Sequence, residues 1–243
     1  MPPDVLTEPE TSPAIATDQS TTERWIELAL VLFVAVSQPL LLSTYIALFG
    51  TPHSITSGNL RYVYVCAQEV GGLLVLWYVL RRSGRTFSSL GLRFSLKGAF
   101  AGLGLAAVGW FAYVLAGIFI EVVHRHYFGT FVTRTSPELL FPKASWMVLI
   151  PFLLLNCFFE EAIVRAYLMT ELSKLTGSIG GAAVASVLVQ TSYHTYQGWP
   201  PVVGLAATFA VFSVYYARTR KLFPLCVAHF LVDAVALTYL FAR

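Results

Sequence analysis

The sequence predicts an all-α protein: a polytopic membrane helix bundle of about seven transmembrane helices. Three observations predict it. Hydrophobic residues make up 56% of the chain and charged residues only 12%, where a soluble domain carries about 25% charge. Apolar stretches of membrane-crossing length recur along the chain, with basic residues gathered in the links between them. Three of the last four stretches also carry ionisable side chains, which lipid tolerates only for a reason. The length of 243 residues suits one domain, and the net charge of +3 is too small to point to nucleic acid, so no nucleic-acid partner is expected.

Residues 1–23 are rich in Pro, Thr, Ser and acid, with no basic residue ahead of an apolar core. They read as a disordered tail and not as a signal peptide. Residues 24–243 then form a single transmembrane domain. The first span is expected at 25–49, with Trp25 at an interface, Glu27 close enough to the end to reach water, and a kink at Pro39. A polar link leads to the second span, 60–80, which carries Gln68 and Glu69. Glu69 has no partner in its own helix, and an interhelical bond is its expected role.

A basic connector, 81–97, precedes the third span, 99–123, where Gly98, Gly102, Gly104 and Gly109 allow close helix approach. His124, Arg125 and His126 then open a loop to Lys143, read as an interfacial turn more readily than as a metal site. The fourth span covers 144–169 and is followed by a surface turn, 170–178. The fifth is 179–196, the sixth 199–217 and the seventh 222–241. Cys66, Cys157 and Cys226 all fall inside apolar stretches and read as small buried hydrophobes, with no spacing that suggests a metal clip or a disulfide.

With seven spans and the N-terminus inside, the inner side collects ten basic residues: Arg24, five from the connector, Lys174, Arg218, Arg220 and Lys221. The outer side collects five, Arg61, Arg125, Arg134, Lys143 and Arg243. The positive-inside rule therefore favours a cytoplasmic N-terminus.

The fourth span carries Glu160, Glu161 and Arg165 within an otherwise apolar run. Each such charge near the bilayer centre costs about 2.5–3.5 kcal/mol. Glu161 and Arg165 are four apart with the acid first, the favourable order for an ion pair within one helix. Glu160 lies about 100° around the helix and is left free, fit to serve as a general base. The plainer reading is that the span ends at Phe159 and the charges mark its water-side edge. On the seventh span His229 and Asp233 are also four apart, so a carboxylate on one ring nitrogen would fix the tautomer and aim the other. His194 closes the fifth span.

The least costly arrangement is one shared, partly wet cavity formed by the C-terminal four helices, with a catalytic core at about 144–243. Depth is uneven, however. Counted from the inner ends of the spans, Glu160, His229 and Asp233 lie near mid-bilayer and His194 near the outer end. A break at Gly180-Gly181, a tilt or a shifted span boundary would absorb the offset.

Glu160-Glu161-x-x-x-Arg165, then His194, then His229-x-x-x-Asp233 resembles the motif set of the CAAX protease and bacteriocin-processing family. These are intramembrane endopeptidases that include the Ras-converting prenyl-protein enzymes and the Abi proteins. Ser89-Leu90-Gly91-Leu92-Arg93 resembles the family's usual lead-in, so the likeness runs from 89 to 233. The resemblance implies that Glu160 and His194 hold and activate a water. It implies that His229, with Asp233, stabilises the oxyanion, and that Glu161 and Arg165 support the site. It also implies a membrane-associated protein or peptide substrate, prenylated or not, and no cofactor.

Two positions depart from the family pattern. Gln190 stands where the family usually has Phe, four residues before His194, which puts local packing or substrate fit in question. Asp233 stands where Asn is frequent. An ionised Asp would repel an oxyanion, so it is protonated, paired with His229, or used to orient that ring. Three alternatives stay open. Glu160, His194 and His229 could ligate zinc with a water in the fourth position, although His-Glu-x-x-His is absent. The same residues could form a proton relay in a transporter, although paired broken helices in two halves are lacking. The chain could also be a non-catalytic scaffold.

Overall fold

The computed structural model describes residues 20–50, 58–130 and 143–241. Among these the chain forms seven helices and no strand. They are α1 Thr21–Phe49, α2 Gly58–Arg82, α3 Leu96–Phe128, α4 Trp146–Thr176, α5 Ile179–Ser192, α6 Trp199–Thr219 and α7 Phe223–Phe241, with a short 3-10 turn at Phe87–Leu90. Five of them (α1, α2, α3, α4 and α6) are long and apolar enough to cross a membrane. This is an integral membrane protein. Mean hydropathy of the whole chain, +0.68, agrees.

Local chemistry sets the helix ends, and some differ from expectation. Most of the expected tail, residues 1–19, lies outside the described residues, but its last residues are helical. Ser20 Oγ accepts from the Glu23 N–H and the Glu23 carboxylate accepts from the Ser20 N–H, a capping box that starts α1 at Thr21. Pro39 lies inside α1. The His124–His126 segment, expected in a loop, is the last part of α3, which ends at Gly129 in the left-handed conformation. The remainder of that loop, 131–142, lies outside the described residues. α4 runs to Thr176, so the expected surface turn shrinks to Gly177 and Ser178, and Ser178 caps α5.

α5 is the main correction. Its 14 residues span about 21 Å, short of the ~30 Å hydrocarbon core. The helix stops at Ser192 instead of 196, because Tyr193 and His194 form a turn that leads into a 3-10 segment, Thr195–Gln197, and Gly198 at φ +86°.

α4 is the central helix, with half of its apolar window buried against 17% for α3. α3 lies along α6 and α7. A Cβ at Gly102 would meet Val227 and the Pro224 carbonyl, and one at Gly109 would meet Phe212 and Thr208. Those two glycines are contact points, whereas Gly104 faces open space. The basic ends gather at one end of the bundle. Arg24 of α1 and Arg85, beyond α2, both bond Glu171 near the end of α4, Arg82 pairs with Glu23 and Glu27, and the Leu222 N–H donates to the Gly91 carbonyl. One face of the molecule thus carries most of the chain's cationic links.

Candidate active site

The site begins where α4 changes its winding. Residues Glu161–Tyr167 are π-helical, and the Leu168 N–H donates to the carbonyl of Ile163, five residues back. Such segments are rare and recur at functional sites. All seven of their side chains are buried. Arg165, fully buried, makes four hydrogen bonds. Its Nε donates to Glu161 Oε2 at 3.2 Å, and Nη1 donates to Ser186 Oγ on α5 and Ser213 Oγ on α6, both at 2.7 Å. Nη2 donates to Gln190 Oε1, and the guanidinium lies over the Phe209 ring. The predicted Glu161–Arg165 pair is present. A buried ion pair is tolerated when its remaining donors and acceptors are also met, and here side chains from neighbouring helices meet most of them.

Glu161 has a second partner. Its Oε1 lies 3.0 Å from His229 Nδ1 on α7. Spacing along α7 made Asp233 the acid expected to aim this ring, but Asp233 Oδ2 instead sits 3.5 Å from Nε2. The reason is geometric. Glu161, from α4, reaches Nδ1, while Asp233, one turn on along α7, reaches Nε2. Nδ1 is therefore occupied by Glu161, and Nε2 is directed between Asp233 and Glu160, whose Oε2 is 3.9 Å away.

Glu160 is buried, 7% exposed, yet no arginine or lysine pairs with it among the described residues. Carboxamides hold it. Gln190 Nε2 donates to Oε2 at 2.7 Å, and Asn156 Nδ2, one turn earlier on α4, lies 3.4 Å from Oε1. The same Asn156 nitrogen donates to Glu69 Oε1 at 2.7 Å. This is the interhelical bond expected of Glu69, and it places an acid of α2 beside the C-terminal cavity. The Glu69 Oε2 atom is buried without a hydrogen-bond partner among the described residues.

His194 joins through Gln190 as well. Its Nδ1 is 2.8 Å from the Gln190 carbonyl oxygen, and its ring packs among Tyr193, Tyr196 and Phe209. Gln190 thus links His194 to Glu160 despite the expected depth offset. α4 and α5 turn about Gly177, and Glu160 lies 17 residues before that glycine and His194 17 after it. The offset came from ending the fourth span at 169 and extending the fifth to 196.

Gln190 therefore touches three motif residues, Glu160, Arg165 and His194. In the sequence it stands out only as a packing departure. Its signal was spacing, since Ser186 and Gln190 are four apart on one face of α5 and His194 follows four residues later. Ser213 and Asn156 had no comparable signal. Chemically the cluster sets one cation-paired carboxylate, Glu161, beside one amide-held carboxylate, Glu160, with an imidazole edge between that carboxylate and a third acid. Among the described residues no group of three His, Cys, Asp or Glu side chains is arranged to hold a metal ion.

Residues 141–235 match the family described as type II CAAX prenyl endopeptidase, Rce1-like. No curated protein and no solved structure matches the chain. The matched segment contains every motif residue placed above, from Glu160 to Asp233, and Gln190 and Asn156 with them. Over that segment the chain is similar to the CAAX prenyl endopeptidases, a family of membrane proteases.

Proposed function

We propose that this protein hydrolyses a peptide bond near the C-terminus of a membrane-associated protein or peptide, of the prenylated CAAX type, with a water activated by Glu160 and His194. One observation carries the reading: Glu160 is a buried carboxylate held by two neutral amides, with the imidazole edge of His229 at 3.9 Å. A carboxylate with no arginine or lysine beside it has no ion pair to give up when it takes a proton from the water.

Glu160 takes a proton from the water as the water oxygen bonds to the scissile carbonyl carbon, and the carbonyl π pair becomes the oxyanion. His229 Nε2–H, paired with Asp233, stabilises that charge. As the C–N bond breaks, the proton on Glu160 passes to the leaving amine. Glu161 and Arg165 fix the helices around these groups. No metal takes part in this scheme. The basic end of the bundle faces the cytoplasm, in line with the positive-inside rule.

The test is cleavage by purified protein in bilayers. Farnesylated CAAX peptides and their unprenylated counterparts serve as substrates, and release of the C-terminal fragment is read by mass spectrometry with and without a chelator. Expected are chelator-insensitive cleavage and loss of at least about 10²-fold in His229→Ala. Chelator-sensitive cleavage would move the protein to a zinc mechanism. Proton-coupled solute flux without cleavage would make it a transporter.

A further inference from the structure

The proposed oxyanion site is short of donors. Its third motif ends in Asp233, a carboxylate that accepts hydrogen bonds when ionised, and His229 Nε2 is already shared between Asp233 at 3.5 Å and Glu160 at 3.9 Å. A further donor is needed where negative charge develops, because preorganised donors are the largest single source of stabilisation in acyl transfer.

Tyr193 is such a donor. It follows the last residue of α5 and precedes His194, and its side chain is 7% exposed. Its ring packs 4.8 Å from the His194 ring. The phenolic oxygen is buried and finds no hydrogen-bond partner of normal geometry among the described residues. The Glu160 carboxylate makes only a poorly aligned hydrogen-bond contact with it, and the charges of Arg165 and Glu161 also act on it. A buried hydroxyl without a well-formed hydrogen bond costs up to about 1–3 kcal/mol, and native proteins retain few such groups. The turn that ends α5 early is what places this hydroxyl there. A helix continued through residue 196 would carry Tyr193 about 100° away from His194 on its surface.

Resting on the proposed hydrolysis, we infer that the Tyr193 hydroxyl donates a hydrogen bond to the oxyanion of the tetrahedral intermediate, supplying the donor that Asp233 lacks. Tyr193 transfers no proton in this role. Its bond forms as charge appears on the carbonyl oxygen and is lost as the C–N bond breaks.

Tyr193→Phe removes one oxygen and keeps the ring packing. Wild type and Tyr193→Phe are compared for kcat, KM, melting temperature and affinity for a phosphinic isostere of the cleaved peptide, whose anionic oxygen stands in for the oxyanion. Expected are a kcat lower by about 10²–10³-fold, a parallel loss of phosphinate affinity, and unchanged KM and melting temperature. Wild-type kcat in Tyr193→Phe overturns the inference. So does a fall in kcat with undiminished phosphinate affinity, which would make Tyr193 a residue that only positions Glu160. Glu160→Gln is the control. Full turnover in that variant overturns the underlying hydrolytic reading, whereas an inactive Glu160→Gln beside a fully active Tyr193→Phe overturns the role of Tyr193 alone.

Discussion

α4 carries two buried acidic stations eleven residues apart, Glu160 and Glu171, and they are built in opposite ways. At Glu171, near the basic end, three cations converge on one carboxylate: Arg24 Nη2 at 2.9 Å, Arg85 Nη1 at 2.5 Å and Lys174 Nζ at 3.7 Å. At Glu160 the oxygens meet Gln190 and Asn156, both neutral, and an imidazole at longer range. Between them Glu161 is intermediate, with one guanidinium and one imidazole. The contrast separates structure from chemistry. A carboxylate saturated by cations fastens helices together and has no lone pair in need of a proton. A carboxylate held by amides is fixed in place without an ion pair, which is the state the proposed hydrolysis requires of Glu160. Burial alone would not have told the two apart, since Glu171 is at least as buried as Glu160.

The comparison can be broken or sharpened by substitution. The largest effect is expected for Arg165→Ala, which leaves Glu161 buried with no guanidinium and orphans Ser186, Ser213 and Gln190 together. Loss of one partner of a buried pair costs about 3–5 kcal/mol, so yield in detergent and melting temperature should fall sharply. Normal melting would show that the network is not structural. Next is Gln190→Phe, which installs the residue frequent in the family. It removes the amide from Glu160 and from Arg165, and turnover should fall by about 10–100-fold, the equivalent of one or two hydrogen bonds to charged groups. Unchanged turnover would mean that Glu160 is positioned without Gln190. The smallest effect is expected for Glu171→Gln. Arg24 and Arg85 are each about one-fifth exposed, so water screens their freed charges and stability should fall by only about 1–2 kcal/mol. Turnover per folded molecule should not change, and its loss would deny the proposed division of labour.

How much of this was legible in the sequence depends on what each feature costs in lipid. Glu160, Glu161, Arg165, His229 and Asp233 stood out because charges in an apolar run are expensive, and helical spacing by itself pairs Glu161 with Arg165. Neutral polar residues cost less and are common in membrane helices, so Asn156, Ser186 and Ser213 gave no alarm and Gln190 stood out only as a departure from the family pattern. Yet it is they that distinguish Glu160 from Glu161. The seven helices followed from hydropathy, but the end of α5 did not. Tyr193 and Tyr196 prolong the apolar run past the point where the backbone turns, which hid both the short helix and the level of His194. The π-helical winding at Glu161–Tyr167 was likewise invisible, since hydropathy has no period there to betray an extra residue per turn. Asp233 was paired with His229 by spacing alone, and that spacing could not reveal that Glu161 from α4 reaches Nδ1 first.

The central claim is that Glu160 does the chemistry while the cation-bound acids beside it hold the helices. Turnover and melting of Glu160→Gln in reconstituted bilayers test it most directly, because the amide keeps the shape and removes only the base. The account predicts a melting temperature close to wild type with turnover lower by at least about 10³-fold, within the range attributed to a positioned base. Turnover near the wild-type rate in a folded Glu160→Gln protein would contradict it.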